Sequence, residues 1–149
     1  MAAYLSTELG GSANQTAAPT GYRPRATVYG ARLKRLRATF TLNTQTTSDT
    51  LVVGNLPAGA TFAYGVSTAS ATLGASATVA IGTAGATGKY RAAAVHTAVD
   101  TPALFGTAAT IGAADPALAA EETVIVTIAV ASLPGSGTFV VDLYYSMPN

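Results

Sequence analysis

The feature that most constrains this chain is a period-two alternation of apolar and polar residues, confined to short runs with glycine and proline between them. In Arg35-Leu36-Arg37-Ala38-Thr39-Phe40-Thr41-Leu42 the apolar Leu36, Ala38, Phe40 and Leu42 alternate with Arg35, Arg37, Thr39 and Thr41. Successive side chains of a strand point to opposite faces, so such a run turns one face to a core and the other to solvent or an interface. The last run, Thr138 to Ser146, sets Phe139, Val141, Leu143 and Tyr145 against Val140, Asp142 and Tyr144. Further strands are expected over Asp49 to Val53, Ala60 to Thr68 (with Phe62, Tyr64 and Val66 on one face), Thr78 to Gly82 and Glu122 to Ala131.

Turn chemistry separates them: Asn55-Leu56-Pro57-Ala58-Gly59, the glycine-rich Gly82 to Gly88, and Leu133-Pro134-Gly135-Ser136-Gly137. No sustained helical period and no fixed-period repeat of a solenoid is visible. The expected fold is all-β, a single antiparallel β-sandwich, jelly-roll-like or a related barrel, with an extended N-terminal arm.

Two parts are less patterned. Residues 1–25 are small and polar, with Pro19, Gly21 and Pro24, and read as an arm preceding a domain over 26–149. Between Lys89 and Ala120 the pattern fades. Lys89-Tyr90-Arg91-Ala92-Ala93-Ala94-Val95 reads as a short helical turn or an irregular crossing. Asp115-Pro116-Ala117-Leu118-Ala119-Ala120 reads as a single turn with Asp as N-cap and Pro at the first helical position.

Charged residues are only 10% of the 149, against about 25% in an ordinary soluble domain. The chain instead carries 32 Ala, 23 Thr and 15 Gly. A surface of that kind suits a protein that buries much of its outside in an assembly; the plainer alternative is a secreted or virion protein selected for low charge. No run reaches the roughly 18–20 apolar residues of a membrane helix. Met1-Ala2-Ala3-Tyr4-Leu5 lacks the basic-then-apolar pattern of a signal peptide. A cytosolic product that later joins a particle, with no membrane partner, fits this pattern.

Groups that could move protons are few. The single histidine, His96, has Asp100 four residues on, and reads as a loop histidine bonded to backbone or water rather than a general base. No Gly-x-Ser-x-Gly elbow is present. Glu121 and Glu122 are adjacent and on a strand point to opposite faces, which spoils a shared-proton pair. There is no cysteine, no zinc spacing and no calcium loop. The Gly82 to Gly88 stretch lacks the Lys-Ser/Thr of a phosphate loop. The expectation is a protein that is not an enzyme and has no cofactor or metal.

Basic residues are unevenly placed. Arg23, Arg25, Arg32, Lys34, Arg35 and Arg37 are six of the eight. Residues 1–48 hold these six and Glu8, for +5; residues 49–149 hold two bases and six acids, for −4. The stripe fits docking on an acidic protein surface or pairing with a neighbouring subunit. It also fits a solvated strand edge kept positive against unwanted pairing. Nucleic acid is the least supported partner, because only Tyr22 and Tyr29 accompany the stripe as stacking groups.

Asp49-Thr50-Leu51-Val52-Val53-Gly54-Asn55-Leu56-Pro57-Ala58-Gly59-Ala60 resembles a phrase, strand then Leu-Pro-Ala-Gly-Ala then strand, of small head proteins of tailed bacteriophages. The resemblance continues through Ser70 to Gly82, Lys89-Tyr90-Arg91-Ala92-Ala93-Ala94 and the closing Leu143-Tyr144-Tyr145-Ser146. It implies a capsid decoration, or cement, protein. Such a protein sits on the outer capsid surface of the virion, commonly as a homotrimer, and clamps the major capsid protein. The arm and the basic stripe would then touch the shell. Phage head–tail joining and tail structural proteins share the texture. A β-sandwich binding module, carbohydrate-binding or adhesin-like, is the alternative outside viruses, although the chain has no Trp to serve as a sugar platform.

Overall fold

The structure, a computed structural model, describes residues 32–107, 110 and 117–147. Eight strands follow one another: β1 (Leu33–Thr41), β2 (Thr50–Leu56), β3 (Thr61–Ala69), β4 (Thr78–Thr83), β5 (Ala86–Val95), β6 (Ala103–Phe105), β7 (Glu122–Ala129) and β8 (Thr138–Ser146). They form two four-stranded sheets, ordered β1-β8-β3-β6 and β2-β7-β4-β5, called the first and second sheet below. All ladder pairs are antiparallel. Every connection except the β4–β5 hairpin crosses from one sheet to the other. This is the connectivity of an eight-stranded jelly roll. The sheets face each other as a sandwich and are not closed into a barrel.

Alternation decides which side chains go inside. Val124, Val126 and Ile128 of β7 and Phe139, Val141 and Leu143 of β8 are essentially inaccessible. They meet between the sheets with Val79, Ile81, Phe62, Phe105 and Tyr90. Each buried side chain of this size contributes about 1.5–3 kcal/mol relative to exposure. At one end of the sandwich the core is closed by Leu42, Leu73 and Leu133, all from inter-sheet connections.

The structure corrects the reading of the chain in three places. Phe62, Tyr64 and Val66 do not share a face. The β3–β8 register slips between Phe62 and Tyr64, so the extra residue Ala63 moves Tyr64 and Val66 outward while Gly65, Ser67 and Ala69 turn in. Lys89 to Val95 is neither a helical turn nor an irregular crossing but most of edge strand β5. Its alanines favour helix, and pairing with β4 overrides them. The pairing is broken by register shifts that leave Arg91 opposite Ile81 but Ala86 opposite Thr83, which erases the period-two signal. The glycine-rich turn is shorter than its sequence suggests, because β5 resumes at Ala86. The short β6 carries no sequence signal of its own. The expected arm over 1–25 and the Asp115-Pro116 cap lie outside the described residues.

The two halves of the sandwich echo each other. Shifting by four strands maps β1-β8-β3-β6 onto β5-β4-β7-β2, the second sheet read backwards. The β3–β4 connection Ala69-Ser70-Ala71-Thr72-Leu73-Gly74-Ala75-Ser76-Ala77-Thr78 thereby aligns without a gap with the β7–β8 connection Ala129-Val130-Ala131-Ser132-Leu133-Pro134-Gly135-Ser136-Gly137-Thr138, sharing Ala69/Ala129, Ala71/Ala131, Leu73/Leu133, Ser76/Ser136 and Thr78/Thr138. Both bury the leucine. The Leu73 N–H donates to the His96 carbonyl and the Leu133 N–H to the Gln45 carbonyl.

Candidate docking face

The outer face of the first sheet collects the most distinctive exposed side chains. Because Leu36, Ala38 and Phe40 turn toward the core, Arg35 and Arg37 project outward from β1. Cross-strand register then fixes their neighbours. One row runs Arg35, Tyr144, Tyr64; the next runs Arg37, Asp142, Val66, Leu104.

Asp142 sits between the two arginines. Arg37 Nε donates to Asp142 Oδ1 at 2.7 Å and Nη2 to Oδ2 at 2.6 Å, a two-point geometry that only guanidinium supplies. Arg35 Nε stands 3.6 Å from Oδ1. The Arg37 hydrogen bonds hold the Asp142 carboxyl below the usual carboxylate range; burial opposes this, and the charges of Arg37 and Arg35 reinforce it. The same pairing raises the Arg37 guanidinium further above its ordinary value. Arg37 is thus committed within the chain, and Arg35 remains the surplus cation of the row.

Beside these charges the face is apolar. The Tyr64 and Tyr144 rings stack at 4.7 Å with 19° between planes. Leu104 is 76% exposed. Tyr64, Leu104, Phe105 and Gly106 line an open depression of about 540 Å³. On the core side of β3, a Cβ on Gly65 would lie 2.1 Å from the Phe105 ring, so only glycine lets that ring pack against the strand.

Of the expected docking residues, Arg32, Lys34, Arg35 and Arg37 fall within the described chain and are exposed along β1 and its start. Arg23 and Arg25 lie outside it. Lys34 belongs to the opposite strand parity from Arg35 and Arg37 and does not join their row. Nothing local in the sequence brings Tyr64, Leu104 or Asp142 to this face. The bulge at Ala63 hides Tyr64, and three-residue β6 hides Leu104. The two-residue spacing of Arg35 and Arg37 opposite Asp142 could have been paired only with the β1–β8 register in hand.

Several other polar groups are tied into the fold. Glu121 accepts from Asn55 Nδ2 at 2.8 Å. On the opposite side, Glu122 accepts from Tyr90 Oη and Lys89 Nζ, both at 2.5 Å. Burial, reinforced by Glu122, pushes the Tyr90 phenol well above its ordinary range. Arg91 donates to the carbonyls of Val79, Ala94 and Val95. His96 is buried, whereas Asp100 is exposed. Among the described residues no three His, Asp or Glu side chains gather as a metal site, and no helix is long and apolar enough to cross a membrane.

No family model matches the chain, and no curated protein matches it. Solved structures do. A chain of the cyanophage Pam1 capsid asymmetric unit is similar with a TM-score of 0.64 and 22% identity, covering 92% of this chain and 96% of that one. A chain of the capsid of Ralstonia phage GP4 gives 0.61 and 18%, over 87% and 94%. A chain of the acidic stable capsid structure of Helicobacter pylori bacteriophage KHP30 gives 0.58 and 14%, over 78% and 89%. At these identities the likeness shows a shared fold.

Proposed function

We propose that this chain is a structural virion protein, a decoration protein that binds the outer surface of a tailed-phage head and strengthens contacts between major capsid subunits. The observation that carries this reading is the fold shared, over nearly the full length of both chains, with proteins in phage capsid structures. The outer face of the first sheet supplies the means. Arg35 on this face, with Arg32 and Lys34 at the start of edge strand β1 and Arg23 and Arg25 from the preceding segment, steers the protein to an acidic shell surface. Leu104 and the Tyr64–Tyr144 stack then remove apolar area from water. Arg37, held by Asp142, fixes the geometry of the face. Each contact is small, and affinity accumulates when several copies bind as one closed oligomer, a homotrimer in this reading. The arm over 1–25 adds a second point of attachment.

Adding purified protein to heads that lack it, and measuring bound protein by co-sedimentation, tests the reading. Wild type is expected to saturate at a fixed copy number per head. The Arg32→Glu/Arg35→Glu double variant is expected to lose binding at least about tenfold, the scale of a charge mismatch of about 1.4 kcal/mol, while remaining folded by circular dichroism. Folded wild-type protein that fails to bind such heads overturns the proposal.

A further inference from the structure

We infer that His96 makes the loop end of the sandwich an acid-released latch. It is the only histidine of the chain and is 4% exposed. Its Nε2 is buried without a hydrogen-bond partner, and its ring meets Phe139 edge-on at 6.0 Å and 67°. The internal echo of the fold shows how unusual this placement is. Thr78 pairs with Val95 as Thr138 pairs with Thr41, so His96, following Val95, stands where the other half puts Leu42. Leu42 is buried. One half closes its core with an inert side chain and the other with a titratable one.

Among the described residues no acid is placed to compensate a charge at this position. Strand β8 offers the Phe139 ring. The connections over 70–77 and 130–137 carry no titratable side chain. Strand β5 offers Arg91, a second cation, and Asp100 on the same connection is exposed. Burial, then the Arg91 charge, hold the imidazole below its ordinary value. The neutral ring therefore stabilises the closed end fully above the ordinary value of about 6.5, and that stability is lost as pH falls below it. An imidazolium has to leave the core, and the connection over 96–102 leaves with it. That movement breaks the Leu73 N–H to His96 carbonyl bond (2.9 Å) and the Asp100 N–H to Ala69 carbonyl bond (2.8 Å). It also uncovers Leu73 and Phe139.

The test is an NMR titration of the full chain, in which the lone imidazole gives one unambiguous Cε1–H signal, together with amide protection factors from pH 7 downward. The His96 midpoint is expected below 6.5. Protection at Leu73 and Asp100 is expected to fall by about tenfold or more as His96 titrates, while Val126 in the central β7 keeps its protection. His96→Leu, which installs the residue type found in the equivalent position, is expected to keep Leu73 and Asp100 protected over the same range. A midpoint at or above 6.5, or the same loss of protection in His96→Leu, overturns the inference. If that variant does not fold, the wild-type titration alone decides.

Discussion

Arg37 and Asp142 are directly opposite in the β1–β8 register, and they close a two-point ion pair across it at 2.7 and 2.6 Å. The pair joins an edge strand to a central one. The inward residues of β1, Leu36, Ala38 and Phe40, are only partly buried, so apolar packing holds this strand less firmly than it holds β8. Asp142 projects outward yet is 6% exposed, because two arginines cover it.

Replacing Asp142 by Asn should therefore loosen β1 at neutral pH and make no difference in acid. Arg37 depresses the Asp142 carboxyl. The stabilisation it provides is present above the ordinary carboxylate value of about 3.9 and disappears as pH falls through the lowered folded value. Urea unfolding of wild type and Asp142→Asn at a series of pH values checks this. The wild-type midpoint should be higher at pH 7, with the two curves converging in acid. Equal midpoints at pH 7 would show that the pair is only a surface ornament.

What could be read from the sequence follows from how regular each strand is. Strands β1, β7 and β8 carry no bulge of their own and are rich in strong β-formers, and their runs and buried faces are evident from residues such as Phe139, Val141 and Leu143. Strands β3 and β5 are bulged, and there the pattern misleads: one added residue at Ala63 reverses the face of Tyr64, and Ala92-Ala93-Ala94 looks helical. The basic half of the outer face of the first sheet is legible in Arg35 and Arg37. Its apolar half is not, because Tyr64, Tyr144 and Leu104 come together only through non-local pairing. His96 reads as a loop residue, since nothing local says that Phe139 covers it.

Gly82 should not tolerate a side chain. The irregular start of β5 folds back over β4, and a Cβ on Gly82 would lie 2.1 Å from the Ala86 carbonyl oxygen and 2.5 Å from that of Thr87. Backbone atoms cannot rotate aside, so the edge strand itself must shift, straining the hold of Lys89 and Tyr90 on Glu122. Gly82→Ala is expected to cost about 1–3 kcal/mol in chemical denaturation. Gly85→Ala at the open hairpin tip, where nothing lies within 4 Å, should stay within about 0.5 kcal/mol of wild type.

Val130 is a place where stability can be gained. It sits at φ 71°, a left-handed conformation that costs an L-residue roughly 1–2 kcal/mol and that β-branched side chains adopt least readily. It is also 74% exposed, so its methyl groups contribute little burial. Asn tolerates this backbone through local hydrogen bonding. Val130→Asn is expected to raise stability by about 1 kcal/mol, seen as a higher urea midpoint at unchanged slope. A lower midpoint would mean that Val130 makes contacts that its exposure conceals.

The echo between the two halves makes a paired prediction. Leu73 and Leu133 occupy matching positions in the β3–β4 and β7–β8 connections, both are buried, and each is anchored through its own N–H to a carbonyl of another connection. If the four-strand equivalence is physical, truncating either leaves a comparable cavity at the same end of the core. Leu73→Ala and Leu133→Ala should each cost about 2–5 kcal/mol and resemble one another more closely than that range requires. The anchors are not identical, however: Leu73 is tied to His96 and Leu133 to Gln45. The cost of Leu73→Ala should therefore shrink as pH falls and His96 charges, because the released end already uncovers Leu73, whereas that of Leu133→Ala should not. Unfolding curves of both variants at pH 7 and at pH 5 separate the two behaviours, and a Leu133→Ala variant as stable as wild type would break the equivalence itself.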